Sequence, residues 1–321
     1  MTGATTPLGR ALLDALVGAP GIEHVLATGR APTATLPAGV AYEALDLTHP
    51  REIHDLVWGA ARKQRIDTVV HLAHHRAASE TRWEVHAQNV AATRQLLLCC
   101  ADHPTIRRWV YRSFAEVYAV GHATSGLLDE DTPLTFDPGA PAWLRDRVEA
   151  DLTVCTHLAG PLQIAVLRFA ELLAPDCGSQ LWDYLSSRVC LRPLGFDPML
   201  NVLSLDDAVA ALLAAMRATA VGVFNIPGAD TLPLSGAVAE SLRADLPVPG
   251  PLLAPLYALR RRIAGFDFRY DLNVHRFHFG GVPDGARARQ HLGYVPRTPV
   301  AWPQPWWRTL LARLAASSAE A

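Results

Sequence analysis

Through the first half of the chain, short apolar or β-branched runs alternate with longer stretches in which apolar residues recur every three to four positions. The runs predict strands at His24 to Thr28, Ala41 to Leu45, Asp67 to Leu72, Trp109 to Ser113 and Ile164 to Phe169. The longer stretches predict helices at Gly9 to Val17, Arg51 to Lys63, Glu84 to Ala101 and Pro141 to Leu158. This is the order of parallel βαβ units. The expected fold is therefore α/β: a doubly wound, Rossmann-like parallel sheet with its ligand crevice at the carboxyl ends of the strands. From 171 to 321 the chain is richer in proline and arginine and alternates less regularly, which predicts a smaller lobe. Stretches near 200–226, Asn201 to Met216 and Gly222 to Ile226, are expected to return to the main sheet.

Composition narrows the partners. Half of the 321 residues are apolar, 19% are charged and the net charge is −2, so the chain offers no basic footprint for nucleic acid and no polybasic membrane patch. The cysteines (Cys99, Cys100, Cys155, Cys177, Cys190) are odd in number and lack C-x-x-C spacing, which fits a reducing compartment and predicts no metal site. No run approaches the roughly 18 apolar residues of a membrane span, and the first residues lack the basic and apolar regions of a signal peptide; a cytoplasmic protein is expected. The tail from Ala315 is Ala, Ser and Glu, the composition of a fraying end.

Candidate chemistry begins at the N-terminus. Thr2-Gly3-Ala4-Thr5-Thr6-Pro7-Leu8-Gly9 has glycine at the first and last positions of a dinucleotide-binding turn and Thr6 at the middle one, with Pro7 and Leu8 opening the helix. A middle glycine lets backbone approach a pyrophosphate, and the last permits close helix–sheet packing. A plain strand-to-helix turn has the same spacing; the β/α elements that follow in order favour the dinucleotide reading. No apolar strand precedes this loop. In this topology that strand is central, and its loss removes several side chains worth ~1.5–3 kcal/mol each from a fold of ~5–15 kcal/mol total stability. The expectation is that Met1 is a misplaced start, which N-terminal mass analysis of the native protein would check.

Further landmarks follow in order. They are Asp46-Leu47, His71-Leu72-Ala73-His74, Asn89-Val90 with Thr93, and Val110 to Tyr118 against V-x-x-S-S-x-x-V-Y. Later come Leu167-Arg168-Phe169 to Pro175, Asn201 to Asp207, Gly222-Val223-Phe224-Asn225-Ile226 and Leu292-Gly293-Tyr294-Val295-Pro296-Arg297. Together they resemble the extended short-chain dehydrogenase/reductase family, of the sugar-nucleotide epimerase/dehydratase kind, over almost the whole chain. The resemblance implies an NAD(P)-binding domain at 1–170 and a substrate lobe at 171–321. It implies cofactor contacts from Gly3, Thr6, Pro7, Leu8, Gly9, Asp46, Leu47, Leu72, Ala73, His74, Asn89, Arg147 and Arg168. It also implies a nucleotide-sugar or similar substrate, and a homodimer through the helices at 84–101 and 141–158. Arg30, after the second strand, stands where an acidic residue would bind a ribose 2′-hydroxyl, and so leans the cofactor to NADP over NAD; a turn arginine that merely meets solvent is the alternative.

The family's proton chemistry needs a tyrosine, a lysine four residues on and a serine or threonine. Aligned with Y-x-x-x-K-x-x-x-E, this chain places Trp143, Arg147 and Asp151, and Phe114 falls at the serine/threonine place. An indole N–H is not a usable acid or base. Arg147 keeps the charge but in a rigid fork, and Lys63 is the only lysine in the chain. Ser113, Tyr118, His74 or His75 would be substitutes if they faced the crevice. Two readings stand: an NAD(P)-binding protein with impaired catalysis, acting as sensor or partner, and an active atypical epimerase or oxidoreductase. In the smaller lobe, Arg260, Arg261, Arg262, Arg269, Tyr270 and Arg276 either meet a substrate diphosphate or form a solvated helix face and interface.

Overall fold

The computed structural model describes residues 1–31, 35–75, 83–121, 126–264 and 268–305; the tail from Ala315 lies outside them. The larger lobe runs α1 (Pro7–Leu16), β1 (Val25–Gly29), β2 (Val40–Ala44), α2 (Pro50–Asp55), β3 (Thr68–His71), α3 (Trp83–His86), α4 (Ala92–Ala101), β4 (Arg108–Phe114), β5 (Leu127–Leu128), α5 (Ala142–Cys155) and β6 (Gln163–Phe169). The rest runs β7 (Glu171–Leu172), α6 (Gln180–Leu185), β8 (Val189–Pro193), β9 (Met199–Leu203), α7 (Leu205–Arg217), β10 (Gly222–Ile226), β11 (Asp230–Pro233), α8 (Leu234–Glu240), β12 (Ala244–Val248), α9 (Gly250–Ala264), α10 (Val274–His278), β13 (Val282–Pro283) and α11 (Ala286–Leu292). The helices expected at 51–63 and 84–101 each contain a wide π-helical segment, Leu56–Ala61 and Ala87–Ala91, which periodicity alone does not resolve.

Strands β10, β6, β4 and β3 form a parallel sheet in that order, and β1 and β2 a parallel pair. Thr2 joins the two, bridging Thr28 on one side and His71 on the other. Its N–H donates to the Val70 carbonyl at 3.0 Å, and the Met1 carbonyl accepts from Thr28 N–H at 2.9 Å. Met1 and Thr2 thus lie between β1 and β3. Below them is a cavity of about 890 Å³ lined by Leu16, Val25, Leu26, Val70 and Met216. The strand order reverses at this point, so the Gly3 loop opens at the topological switch where α/β sheets take ligands.

Both faces of the sheet are covered, as the apolar runs require. Trp109, Tyr111, Ile164 and Val166 pack with Ile53, Leu97 and Val154 on one face. Val110, Ala165, Leu167 and Phe169 pack with Leu8, Leu12 and Leu212 on the other. Of the 200–226 stretch, β10 pairs with β6 in the main sheet, whereas β9 pairs with β11 and β7 in a separate small sheet. Tyr184, Tyr257, Phe268, Tyr270 and Phe277 form the aromatic core of the smaller lobe. Among the described residues no helix is long and apolar enough to cross a membrane.

Candidate functional site

The loop after Thr2 builds the outer part of the crevice. Gly3 sits at φ +72°, and a Cβ on Gly9 would lie 2.2 Å from the Gly3 carbonyl oxygen, so both positions require glycine. Thr6 caps α1: its Oγ1 accepts from Gly9 N–H at 3.0 Å and donates to the Gly3 carbonyl at 2.8 Å. The threonine at the middle glycine position therefore serves the helix. Around this loop opens a cleft of about 340 Å³ lined by Gly3, Thr6, Arg30, Leu47, Ala73 and His74, with Thr5, Thr28, Gly29, Leu45, His75 and Gln88 completing its wall. Arg30 donates to Gln88 Oε1 at 2.8 Å and stands 3.9 Å from Asp46.

Other expected contact residues support this cleft rather than line it. Pro7 and Leu8 open α1, with Leu8 buried in the core. Leu72 is buried beneath the loop. Asn89 is buried and accepts the His75 N–H at 2.8 Å, which holds the segment after β3 in place. Asp46 accepts from Thr48 N–H and Oγ1 at 2.9 and 2.8 Å. Burial alone would raise its carboxyl pKa, but these bonds and Arg30 hold it below the usual range.

His74 divides the outer cleft from an inner pocket. Its Nε2–H donates to the Arg112 carbonyl at 2.9 Å. Burial, then His71, Arg112 and Arg147, keep the imidazole neutral far below its usual pKa. Inside lie Phe114, Trp143 and Arg147, the three substituted positions, together with Arg112, Glu116, Phe169, Glu171 and Arg276. The Arg147 guanidinium stacks 3.8 Å from the Phe114 ring centroid and 4.6 Å from that of Trp143. It donates to Glu116 Oε2, while Arg276 of α10 donates to Glu116 Oε1 at 2.8 Å and to Glu171 Oε2. This chain of ion pairs ties the main sheet to the smaller lobe. Glu116 and Glu171 went unread in the sequence because they fall at variable positions of the landmark segments. The space left among these groups is only about 30 Å³.

Below this pocket a second network removes two of the proposed substitutes. Ser113 is fully buried and its hydroxyl donates to Asp151 Oδ2. Asp151 holds Arg168 through Nε at 3.1 Å and Nη2 at 2.7 Å. Arg168 in turn donates to the Tyr118 hydroxyl at 3.0 Å, and that hydroxyl donates to Asn225 Oδ1 at 2.6 Å. Burial pushes the Tyr118 phenol up to about 12. Neither Ser113 nor Tyr118 is among the described residues that line the crevice, and Arg168 lies beneath it as half of a buried ion pair.

The arginines of the smaller lobe do not act as a group. Arg260 donates to the Val189 carbonyl at 2.9 Å and Arg269 pairs with Asp271, while Arg261 and Arg262 are exposed and Tyr270 is buried. Of the set, Arg276 alone lines the inner pocket. Among the described residues no group of His, Cys, Asp or Glu has the arrangement of a metal site.

A switch-point cleft opening on a glycine loop is common to many α/β proteins, and sequence comparison decides among them. Residues 1–175 match the sequence model of the NAD dependent epimerase/dehydratase family. The chain belongs to that family. An uncharacterised Mycobacterium tuberculosis protein, Rv0501, is 30% identical over 243 residues, which cover 74% of this chain and 63% of the relative. A Streptomyces 3-diazoavenalumate denitrifying reductase is 31% identical over 215 residues, 64% of each chain. The chain thus spans a little under two thirds of the length of these relatives. Among solved structures, Bordetella bronchiseptica WbmG, in complex with NAD and UDP, superposes with a TM-score of 0.69 at 15% identity, covering 93% of this chain and 88% of that one. The Bacillus cereus UDP-glucuronic acid 4-epimerase, in complex with UDP-glucuronic acid and NAD, gives 0.68 at 17% identity and 93% of both. At such identities the likeness concerns the fold. This member of the epimerase/dehydratase family has the Rossmann-like fold of those enzymes.

Proposed function

We propose that the chain binds NAD(P) in its outer cleft, performs no tyrosine-dependent proton transfer, and acts as a dinucleotide-dependent sensor or complex partner. The observation that carries this reading is the stack of Trp143, Arg147 and Phe114 where an acid, an ammonium and a hydroxyl would be needed. Tyr118 and Ser113 are locked below; of the expected substitutes, His74 and His75 line the pocket, His74 with its imidazole held neutral by burial.

The residues present fit a dinucleotide. The Gly3 and Gly9 backbone and the start of α1 would face its pyrophosphate, with Thr6 beside it. Asp46 and Leu47 would border the adenine, and Arg30 at the cleft mouth would take a 2′-phosphate, which favours NADP over NAD. Ala73, His74 and Asn89 would shape the path inward, with Arg147 at its end. When bound, the dinucleotide supplies or accepts a hydride. A nucleotide-sugar or similar ligand would enter from the smaller lobe, and two copies would pair through the helices at 84–101 and 141–158.

A second reading, an active reductase, is favoured by the Streptomyces relative, whose name is that of a denitrifying reductase of a diazo compound. Replacement of a diazo group by hydride expels dinitrogen and leaves no alkoxide to protonate, so it needs no tyrosine. Turnover decides between the two. Product chromatography and absorbance at 340 nm with NAD(P)(H), UDP-sugars and an aryl diazonium salt should show no catalysis by the natural chain. The triple variant Phe114→Ser, Trp143→Tyr, Arg147→Lys should gain activity on a UDP-sugar. Diazonium-dependent NADPH oxidation by the natural chain, at about 1 s⁻¹ or faster, would overturn the sensor reading and establish the second.

A further inference from the structure

The crevice narrows abruptly on the way inward. The outer cleft encloses about 340 Å³, at the lower end of the ~300–1,000 Å³ that small-ligand sites span. Among the described residues, His74 and His75 line both spaces, so cleft and inner pocket meet at this pair. Beyond them about 30 Å³ is left, room for roughly two waters at ~10–15 Å³ each and not for an aromatic ring.

The inward path is closed by groups that hold one another. His74 is buried, donates through Nε2–H to the Arg112 carbonyl at 2.9 Å, and stands edge-on to Phe114 at 5.1 Å and to Tyr111 at 5.4 Å. Behind it the Arg147 guanidinium lies over Phe114 at 3.8 Å and over Trp143 at 4.6 Å, and that of Arg112 over Phe114 at 4.8 Å, so guanidiniums already cover the rings. Arg147 also donates to one oxygen of Glu116, whose other oxygen accepts from Arg276 at 2.8 Å. Arg276 donates in turn to Glu171, and the second oxygen of Glu171 accepts from Ser179 Oγ at 2.6 Å and Leu181 N–H at 3.1 Å. Admitting a flat ring would require Arg147 to leave both aromatic faces and Glu116 to lose a cation away from water, one of the costlier changes a folded chain can make. The outer cleft has no such filling: its described wall is glycine, threonine, Ala73 and an Arg30 side chain that is 61% exposed.

We propose that the crevice takes the adenosine-diphosphate half of NAD(P) and excludes the nicotinamide, so that it recognises an adenosine diphosphate, best with a 2′-phosphate, whatever its other end carries. This rests on the reading that the outer cleft binds a dinucleotide, and it names the part of the ligand that is recognised. Arg147 closes the inward path and receives no ribose. A sensor built this way responds to the amount of the nucleotide and not to its oxidation state, because the nicotinamide, where NADP and NADPH differ, stays in solvent.

The test is calorimetric titration of the full chain against NADP, NADPH and 2′-phospho-ADP-ribose, which lacks the nicotinamide, and against nicotinamide mononucleotide. The first three should agree within about threefold, and the mononucleotide should not bind up to about 1 mM. A wider gap in favour of either nicotinamide nucleotide, or binding of the mononucleotide, overturns this proposal and leaves the dinucleotide reading standing. Binding of none of the four overturns both. Arg147→Ala, shown to be folded by circular dichroism, should open the inward path and bring NADPH several-fold ahead of 2′-phospho-ADP-ribose. Equal affinities in the folded variant would overturn the closing role assigned to Arg147.

Discussion

The two ends of the crevice are built from different materials. The outer cleft is made largely by backbone, small residues and a helix start around Gly3, Thr6 and Ala73, and it encloses about 340 Å³. The inner pocket is made by long side chains, aromatic rings and guanidiniums, and leaves about 30 Å³. A site formed by main-chain geometry persists as long as the fold does, because the glycines that shape it also let α1 pack on the loop. A site formed by side chains can be exchanged with the sheet intact. On the proposed function, binding geometry and proton chemistry come apart along that division.

The largest effect is expected beneath the inner pocket. Arg168→Leu leaves Asp151 buried without its cation and should cost about 3–5 kcal/mol of unfolding free energy in urea titration. A loss under about 1 kcal/mol would mean that the floor is not sealed and that Tyr118 could reach the crevice after all.

Acid should act next, at the histidines between the two ends. Burial lowers His71 from its usual 6.5 to about 3, and His74 shifts in the same direction. Both stay neutral in the folded chain and protonate in the unfolded one. Their contribution is complete above about pH 6.5 and is lost as pH falls towards 3, at about 1.4 kcal/mol per pH unit for His71. By pH 5 that is about 2 kcal/mol, and His71→Gln should flatten this part of the urea-stability profile. An unchanged slope would place the acid sensitivity elsewhere.

At the outer end, Arg30→Ala should lower NADP affinity by about tenfold and leave NAD nearly unchanged, the difference expected of one charge-assisted contact. Equal losses for both dinucleotides would make Arg30 a solvent-facing turn residue. The smallest change is Thr6→Gly. It removes the cap on Gly9 N–H at a cost of a few tenths of a kcal/mol, measurable by urea titration, and should tighten NADP several-fold by letting the main chain approach the pyrophosphate. Weaker binding would show that the Thr6 hydroxyl itself is a contact.

The same division governs what could be read from the sequence. The alternation of apolar runs was enough for the parallel sheet and its helices, because strands buried on both faces admit few other residues: β4 reads Trp109-Val110-Tyr111, facing alternate layers. The Gly3 to Gly9 loop and the substitutions at Phe114, Trp143 and Arg147 were legible as departures at fixed spacing. Side-chain partnerships across the fold were not. Nothing local ties Ser113 to Asp151, 38 residues away, or Tyr118 to Asn225, 107 away, so both hydroxyls looked available. Arg276 gave no sign that it differs from Arg261 or Arg262, since its partner Glu116 lies 160 residues earlier. The π-helical segments in two helices likewise reflect packing, not periodicity.

The most direct test of the separation between binding and chemistry is calorimetric titration of the purified chain against NADP, NADPH, NAD and NADH. Micromolar binding, tighter for the 2′-phosphorylated pair, is expected if the outer cleft works independently of the substituted pocket. No binding of any of the four would contradict it, and would mean that Thr6 and the filled inner pocket have closed the whole crevice.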